Sequence, residues 1–412
     1  MLYHAYQTQS DLMEPMRALA RSALAGYRFW SGSFWAGIAG SGFGHGPGHS
    51  LAAAWELFAR AKLRHERPPY GIDRVTVDGR EIAVAEEPVA TTAFCTLLRF
   101  RKAAVAQPRV LVVAPLSGHF ATLLRGTVRT LLPEHDVFIT DWHNARDIPP
   151  EAGRFGLDEY VDHVIRFLEA VGPGAHVLAV CQPCVQVLSA VAIMGEDRHP
   201  AVPRSMTLMA GPVDTRINPT QVNALAAARP LEWFAKRCIA AVPSGNKGAG
   251  REVYPGFMQL SAFMAMNAGR HTKAHHDLYR HLAEGESERA QAIKSFYDEY
   301  FTVLDLSAEF FLETVRDVFQ EPLLAKGELT WRGRRIDLSK IRRTALLTVE
   351  GERDDICAVG QTAAAHRLCT GLRPRQKRHH LQRGVGHYGV FSGTRWEKEI
   401  YPIIREVVVA SA

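Results

Sequence analysis

The chain has 412 residues, of which 47% are hydrophobic and 22% charged, a balance that excludes disorder as the main state. Its net charge of +6 is too small and too scattered to argue for nucleic acid as a partner. Six cysteines over this length make no disulfide framework, which favours a reducing, cytoplasmic compartment. The first residues, MLYHAYQTQSDLMEP, lack a basic segment followed by an apolar one, so no secretory signal is expected. The most apolar stretch, 177–194, is broken by Gln182, Pro183, Gln186 and Ser189, so no transmembrane segment is expected either.

Met13, Met16, Leu19, Ala20 and Leu24 recur at helical spacing and predict a helix over 11–30, with Ser10 or Asp11 as its N-cap. The glycine-rich stretch 37–49 reads as a hinge: no strand precedes it and no Lys-Ser/Thr ends it, as phosphate loops require. A second helix follows over 51–63. Residues 73–84 read as a hairpin turning at Asp78-Gly79. From residue 109 short apolar runs alternate with amphipathic stretches. Strands are predicted at 109–116, 136–141, 176–181, 205–209 and 344–349, and helices at 120–132, 157–171 and 185–194. Strands buried on both faces and alternating with helices mean an α/β protein with a mainly parallel, doubly wound sheet. The alternation stops between about 215 and 340, where a helix-rich, aromatic segment reads as a cap inserted over the C-terminal edge of the sheet. The expected division is a helical segment and hairpin packing on the core (1–105), the α/β core (106–214 and 341–412) and the cap (215–340).

The sharpest local pattern is HVLAVCQPCVQVL, with Cys181 at the end of a buried strand and a helix directly after it. That is where an α/β-hydrolase presents its nucleophile on a tight strand-to-helix turn. Ala179 and Pro183 replace the usual glycines; the first is small, and the second falls where a missing N–H costs little. The backbone N–H of Gln182 is a candidate oxyanion donor, and a helix N-terminus favours a thiolate. Two further signals follow in the order nucleophile, acid, base. EGERDDI places Asp354 and Asp355 beyond a strand end, and RGVGHYGVF places His387 in a Gly-flexed loop. The second oxyanion donor is expected from Leu116, Ser117 and Gly118 in APLSGHFATLLR, where Gly118 lets the backbone approach a ligand. His119 either lines the site or is a satisfied surface histidine. Trp142, His143 and Asn144 either face the cleft or fix their own loop.

These residues resemble the intracellular poly(3-hydroxybutyrate) depolymerases and, more distantly, the polyhydroxyalkanoate synthases with their cysteine nucleophile. The resemblance covers most of the chain: MLYHAYQ, TDWHNARDIP, VCQPCVQVL, DLSAEFFLETVRDVFQEPLLAKGELTWRGRRIDL, VEGERDDI and GVGHYGVFSG all look like that family. It implies an α/β-hydrolase fold with a cap, and hydrolysis of the amorphous polyester stored in granules. By motif match Cys181 is the nucleophile, Asp354 the acid and His387 the base, with no metal and no organic cofactor. The implied partner is the polyester granule surface. Assembly as a homo-oligomer stays open.

Two alternatives accompany this reading. A synthase-like acyltransferase shares the triad and differs in its acceptor. The run Cys181-Gln182-Pro183-Cys184 also suits a thiol redox site, although that would leave Asp354 and His387 without work. A granule-coating role is a third possibility, with the aromatic segment 27–35 as its apolar contact. His271, His275 and His276 have helical spacing but no third ligand, and read as a solvated helix. The basic run 373–383 reads as partly solvated strand and loop that could touch an anionic granule surface.

Overall fold

Parallel pairing of the apolar runs builds the molecule. The computed structural model describes residues 2–33, 47–103, 106–266 and 268–411. Its central sheet has nine strands: β1 (Arg74–Val77), β2 (Arg80–Thr91), β3 (Cys95–Lys102), β4 (Arg109–Val113), β5 (Asp136–Trp142), β6 (His176–Val180), β7 (Ser205–Met209), β8 (Ala345–Gly351) and β9 (Lys377–Gln382). Their order is β1-β2-β3-β5-β4-β6-β7-β8-β9. Strands β1 to β3 pair antiparallel, as does β3 with β5, and every pair from β5 to β9 is parallel. With β5 inserted between β3 and β4, the eight strands from β2 onward follow the order of the α/β-hydrolase fold. Helices α3 (Arg125–Leu131), α4 (Leu157–Val171) and α5 (Cys184–Glu196) are the crossovers of the parallel half. In β4, β6 and β7 every residue but Arg109 is buried, which is why those strands read as unbroken apolar runs.

The hairpin goes beyond expectation. Val75 and Val77 pack into the main core, and β2 also runs on to Thr91, pairs with β3 and extends the sheet itself. Strand β2 has no buried residue, so it carries no apolar run to announce it, whereas β3 buries Cys95, Leu97, Leu98 and Phe100. The turn is where it was predicted, with Asp78 and Gly79 both at positive φ (48° and 76°), the geometry of a two-residue hairpin.

Helix α1 spans Leu2–Ser33, nine residues earlier than its apolar spacing suggested, and α2 spans Pro47–Arg60. Residues 34–46, most of the glycine-rich stretch, lie outside the described residues, as does the end of the 27–35 segment. Aromatic anchors account for the early start of α1. Tyr3 is buried and its hydroxyl donates to Oδ2 of Asp305 (2.7 Å). The Tyr6 ring stacks on Phe257 with centroids 4.1 Å apart. Asp305 is wholly buried and also accepts from the N–H of Gly256 (2.8 Å), so one carboxylate ties α1 to the cap. Replacing Tyr3 by Phe removes one of those donors inside the protein. The variant is expected to lose about 1–3 kcal/mol of stability, read as a lower urea midpoint.

The cap contains α6 (Gln221–Ala227), α7 (Leu231–Cys238), α8 (Gly256–Met266), α9 (Ala268–Ala283), α10 (Ser287–Tyr300) and α11 (Ala308–Glu313). Its aromatics serve two purposes. Tyr254 and Phe310 join the main hydrophobic core, Phe310 stacking on Tyr160 of α4 (5.4 Å). Tyr297 and Tyr300 form a second, smaller core with Leu260 and Val303.

Candidate active site

Four strand ends meet at one edge of the sheet. Beyond β6, Cys181 adopts φ 66°, a left-handed conformation that costs an L-residue about 1–2 kcal/mol. The turn is held by the Cys181 N–H, which donates to the Met209 carbonyl (2.7 Å), and by the Cys184 N–H, which donates to the Cys181 carbonyl (3.2 Å). Helix α5 begins at Cys184 with Pro183 at its N-cap, so two residues separate Cys181 from the helix. Gly211 lets the chain after β7 press against this turn: a Cβ there would lie 2.6 Å from the Cys181 carbonyl oxygen.

Beyond β8 and β9 lie Asp354 and His387, both buried. The His387 Nδ1–H donates to Oδ2 of Asp354 (2.8 Å). Oδ1 of Asp354 accepts from the N–H groups of Ile356 (2.9 Å) and Cys357 (2.8 Å), which fixes the carboxylate. Asp355 is exposed and makes no such bond to the ring. Burial alone would pull the His387 pKa down. The charge of Asp354, joined by the Cys181 sulfur on the other side, outweighs it and holds the imidazole well above its usual value. Cys181 and His387 line one cavity of about 350 Å³.

Glu350, at the end of β8, has a positioning part that the sequence did not suggest. It is buried and accepts from the N–H groups of Gly360, Thr362 and Ala363, pinning the loop that carries Asp354. A glutamate inside an apolar strand was the available signal.

The predicted oxyanion loop is only partly as expected. The Leu116 N–H faces Gln182, whose side-chain carbonyl accepts from it at 3.4 Å. The Gln182 backbone N–H has no acceptor among the described residues. Leu116, Ser117 and Gln182 line the cavity, but Gly118 serves another contact. With φ 92°, its missing Cβ makes room for Gln259 of α8, which would lie 2.7 Å away, and its carbonyl accepts from the Leu304 N–H (3.0 Å). Gly118 therefore seats the cap.

His119 lines the cavity but is neither exposed nor free: its Nε2–H donates to the Tyr300 carbonyl (3.1 Å) and its ring lies against Tyr300 (5.1 Å). Burial pushes its pKa down to about 4. A histidine whose folded pKa is depressed stabilises the fold above the unfolded value near 6.5, and that contribution is lost as pH falls toward 4. His119→Gln is therefore expected to lose about 2 kcal/mol less stability than wild type between pH 7.5 and 5, in paired urea titrations. The slope will not vanish, because burial also pushes His65, His176 and His366 down to about 4.

Trp142, His143 and Asn144 fix their own loop. Trp142 Nε1–H donates to the Ala114 carbonyl (2.9 Å), His143 bonds Ala93 and Thr96, and the Asn144 side chain bonds His65, Arg146 and Asp305. Cys184 is fully buried with its thiol toward the Ala179 and Met209 carbonyls, and burial, then Cys181, raises its pKa well above the usual value. An inert second thiol does not suit the redox alternative. His271 is buried, with Nδ1 bonded to the Tyr297 hydroxyl (2.9 Å), and so does not sit on a solvated face.

Residues 210–412 match the family described as "PHB de-polymerase C-terminus". Over these residues the chain is similar to the PHB depolymerase family. The similarity supports a hydrolase of depolymerase type; the matched segment contains Asp354 and His387 and begins after Cys181 and Leu116. No curated protein matches the sequence. Similar solved structures include the 2-hydroxy-6-oxo-6-phenylhexa-2,4-dienoate hydrolase of Rhodococcus sp. strain RHA1, at 12% identity over 79% of this chain and 99% of that one, TM-score 0.42. A monoacylglycerol lipase of Paleococcus ferrophilus is 13% identical over 77% and 99%, TM-score 0.42. A structure from work on carboxylesterases of Nitrososphaera gargenis is 11% identical over 82% and 100%, TM-score 0.41. None of the helices among the described residues is long and apolar enough to cross a membrane.

Proposed function

We propose that the protein hydrolyses the ester bonds of amorphous poly(3-hydroxybutyrate) granules in the cytoplasm, through a thioester on Cys181. The observation that carries this reading is the placement of His387 between Asp354 and Cys181, within an apolar cavity under the cap. In the first step His387 takes the Cys181 thiol proton and the sulfur attacks an ester carbonyl. The N–H groups of Gln182 and Leu116 hold the resulting oxyanion, each donor worth about 3 kcal/mol. The Gln182 side-chain oxygen, 3.4 Å from the Leu116 N, occupies that second donor in the free protein and is displaced by the substrate oxygen. His387 then gives its proton to the leaving alcohol, with Asp354 fixing the tautomer. Water activated by His387 opens the thioester, releasing the acid and restoring the thiol.

The cavity suits a polyester repeat, because Trp233, Phe234, Met258 and Phe311 offer apolar walls and few polar groups compete for the chain. The test is acid release from amorphous granules, with mass spectrometry of the quenched enzyme for a 3-hydroxybutyryl adduct on the peptide carrying Cys181. Release with the adduct is expected. A folded protein that binds granules and releases no acid ends this reading.

A further inference from the structure

A second cavity of about 410 Å³, within the size range of ligand pockets, adjoins the first across Tyr388. Phe263, Ile356 and Tyr388 belong to the walls of both cavities, and Tyr388 directly follows His387. The far walls are aromatic, from Phe296, Tyr297 and Tyr300 of α10. One cation stands among them: Arg270, at the exposed start of α9. Its charge is felt by Tyr297, Tyr300 and Tyr388. Among the described residues no carboxylate pairs with it, and Asp355, whose charge reaches Tyr300, is not in the cavity wall. A guanidinium without a carboxylate partner among the described residues, beside an aromatic cavity, calls for a planar anion, and a carboxylate partly screened from water there binds more firmly than on an open surface.

From this we infer that the second cavity is a carboxylate-binding subsite, with Arg270 recognising the free carboxyl end of the polyester. The inference rests on the Cys181 reading above. It also fixes a direction. The acyl side of the cleaved ester stays on the Cys181 sulfur in the 350 Å³ cavity. The alcohol side leaves past His387, which protonates it, and so past Tyr388 into the second cavity. In a poly(3-hydroxyalkanoate) the alcohol-side fragment is the one that ends in a carboxylate. Attack breaks the C–O bond, forms the thioester and passes the His387 proton to the departing oxygen. The leaving fragment is then a hydroxy acid held at its far end by Arg270, and the protein takes short pieces from the carboxyl end of the chain.

The test compares the linear trimer of 3-hydroxybutyrate with its methyl ester, using wild type, Arg270→Gln and Arg270→Lys. Wild type is expected to favour the free acid by about tenfold or more in kcat/KM, mainly through KM. Arg270→Gln brings the ratio near one, and Arg270→Lys restores part of it. Equal rates with wild type, or a preference that survives Arg270→Gln, overturns the subsite. If wild type cleaves neither compound, the hydrolase reading fails and the subsite is judged separately, by calorimetric titration of Cys181→Ala with both compounds. Tighter binding of the free acid, lost in the double variant with Arg270→Gln, supports the subsite; equal binding removes it.

Discussion

Cys181→Ala is expected to lower acid release from granules by about five to six orders of magnitude, with granule binding and the melting temperature close to wild type. The size follows from the chemistry: once the nucleophile is gone, the oxyanion donors and the cavity still hold substrate, but no covalent route remains, and residual rates of roughly a thousandfold over water are typical of triads so treated. The fold should tolerate the change because Cys181 makes its turn with backbone groups, to Met209 and Cys184, which alanine keeps. Its positive φ is no worse for alanine than for cysteine. Cys184→Ala supplies the contrast. That thiol packs in the core against Gly211, so the variant should cost some stability and leave turnover nearly unchanged. Equal loss in both variants would return the argument to a paired-thiol chemistry. Release that survives Cys181→Ala means another nucleophile.

The parts of the molecule that the sequence announces are those whose physics is local. Strands β4, β6 and β7 are buried on both faces, so their apolar runs are continuous. Cys181 and Asp354 stand where such runs stop, and His387 stands in a glycine-flanked turn after β9. Strand β2 is silent beyond residue 84 for the converse reason, its further residues being half-buried or exposed without an apolar run. Strand β9, KRHHLQ, looks like a solvated basic run because its hydrogen bonds to β8, and not its side chains, hold it in the sheet. The remaining losses are positions defined only by the fold. Gly118 looked like a ligand contact, but its neighbour is Gln259, 141 residues away in sequence, brought there by the cap. Arg270 and Tyr388 come to adjoining walls from α9 and from the turn after β9, and nothing in their local sequence links them. The Tyr3–Asp305 bond joins the two ends of a 302-residue separation and is equally invisible before folding.

Asp354→Asn carries the second large expectation: a fall of about ten-thousandfold in kcat with little change in KM, against at most a few-fold for Asp355→Asn. The amide keeps the size of the carboxylate and both backbone contacts to Ile356 and Cys357 can persist through its oxygen. What changes is the partner of His387. An amide turned to offer its NH2 to Nδ1 stabilises the wrong tautomer, placing the imidazole proton on the nitrogen that must receive one from Cys181. The imidazole's own titration distinguishes this from loss of structure. In wild type the balance runs from burial, which lowers the His387 pKa, to the stronger raising by Asp354 and the Cys181 sulfur. With the carboxylate gone, burial dominates, so the ring signal of His387 in an NMR titration should move from above the ordinary histidine range to below it. The linked stability changes sign with it. In wild type the raised pKa means that His387 stabilises the fold at pH values below the unfolded 6.5 and loses that contribution as pH rises through the folded value. In Asp354→Asn the depressed pKa means a contribution present above 6.5 and lost on acidification. A ring that titrates alike in both proteins would detach Asp354 from His387, and with it the acid of the proposed triad.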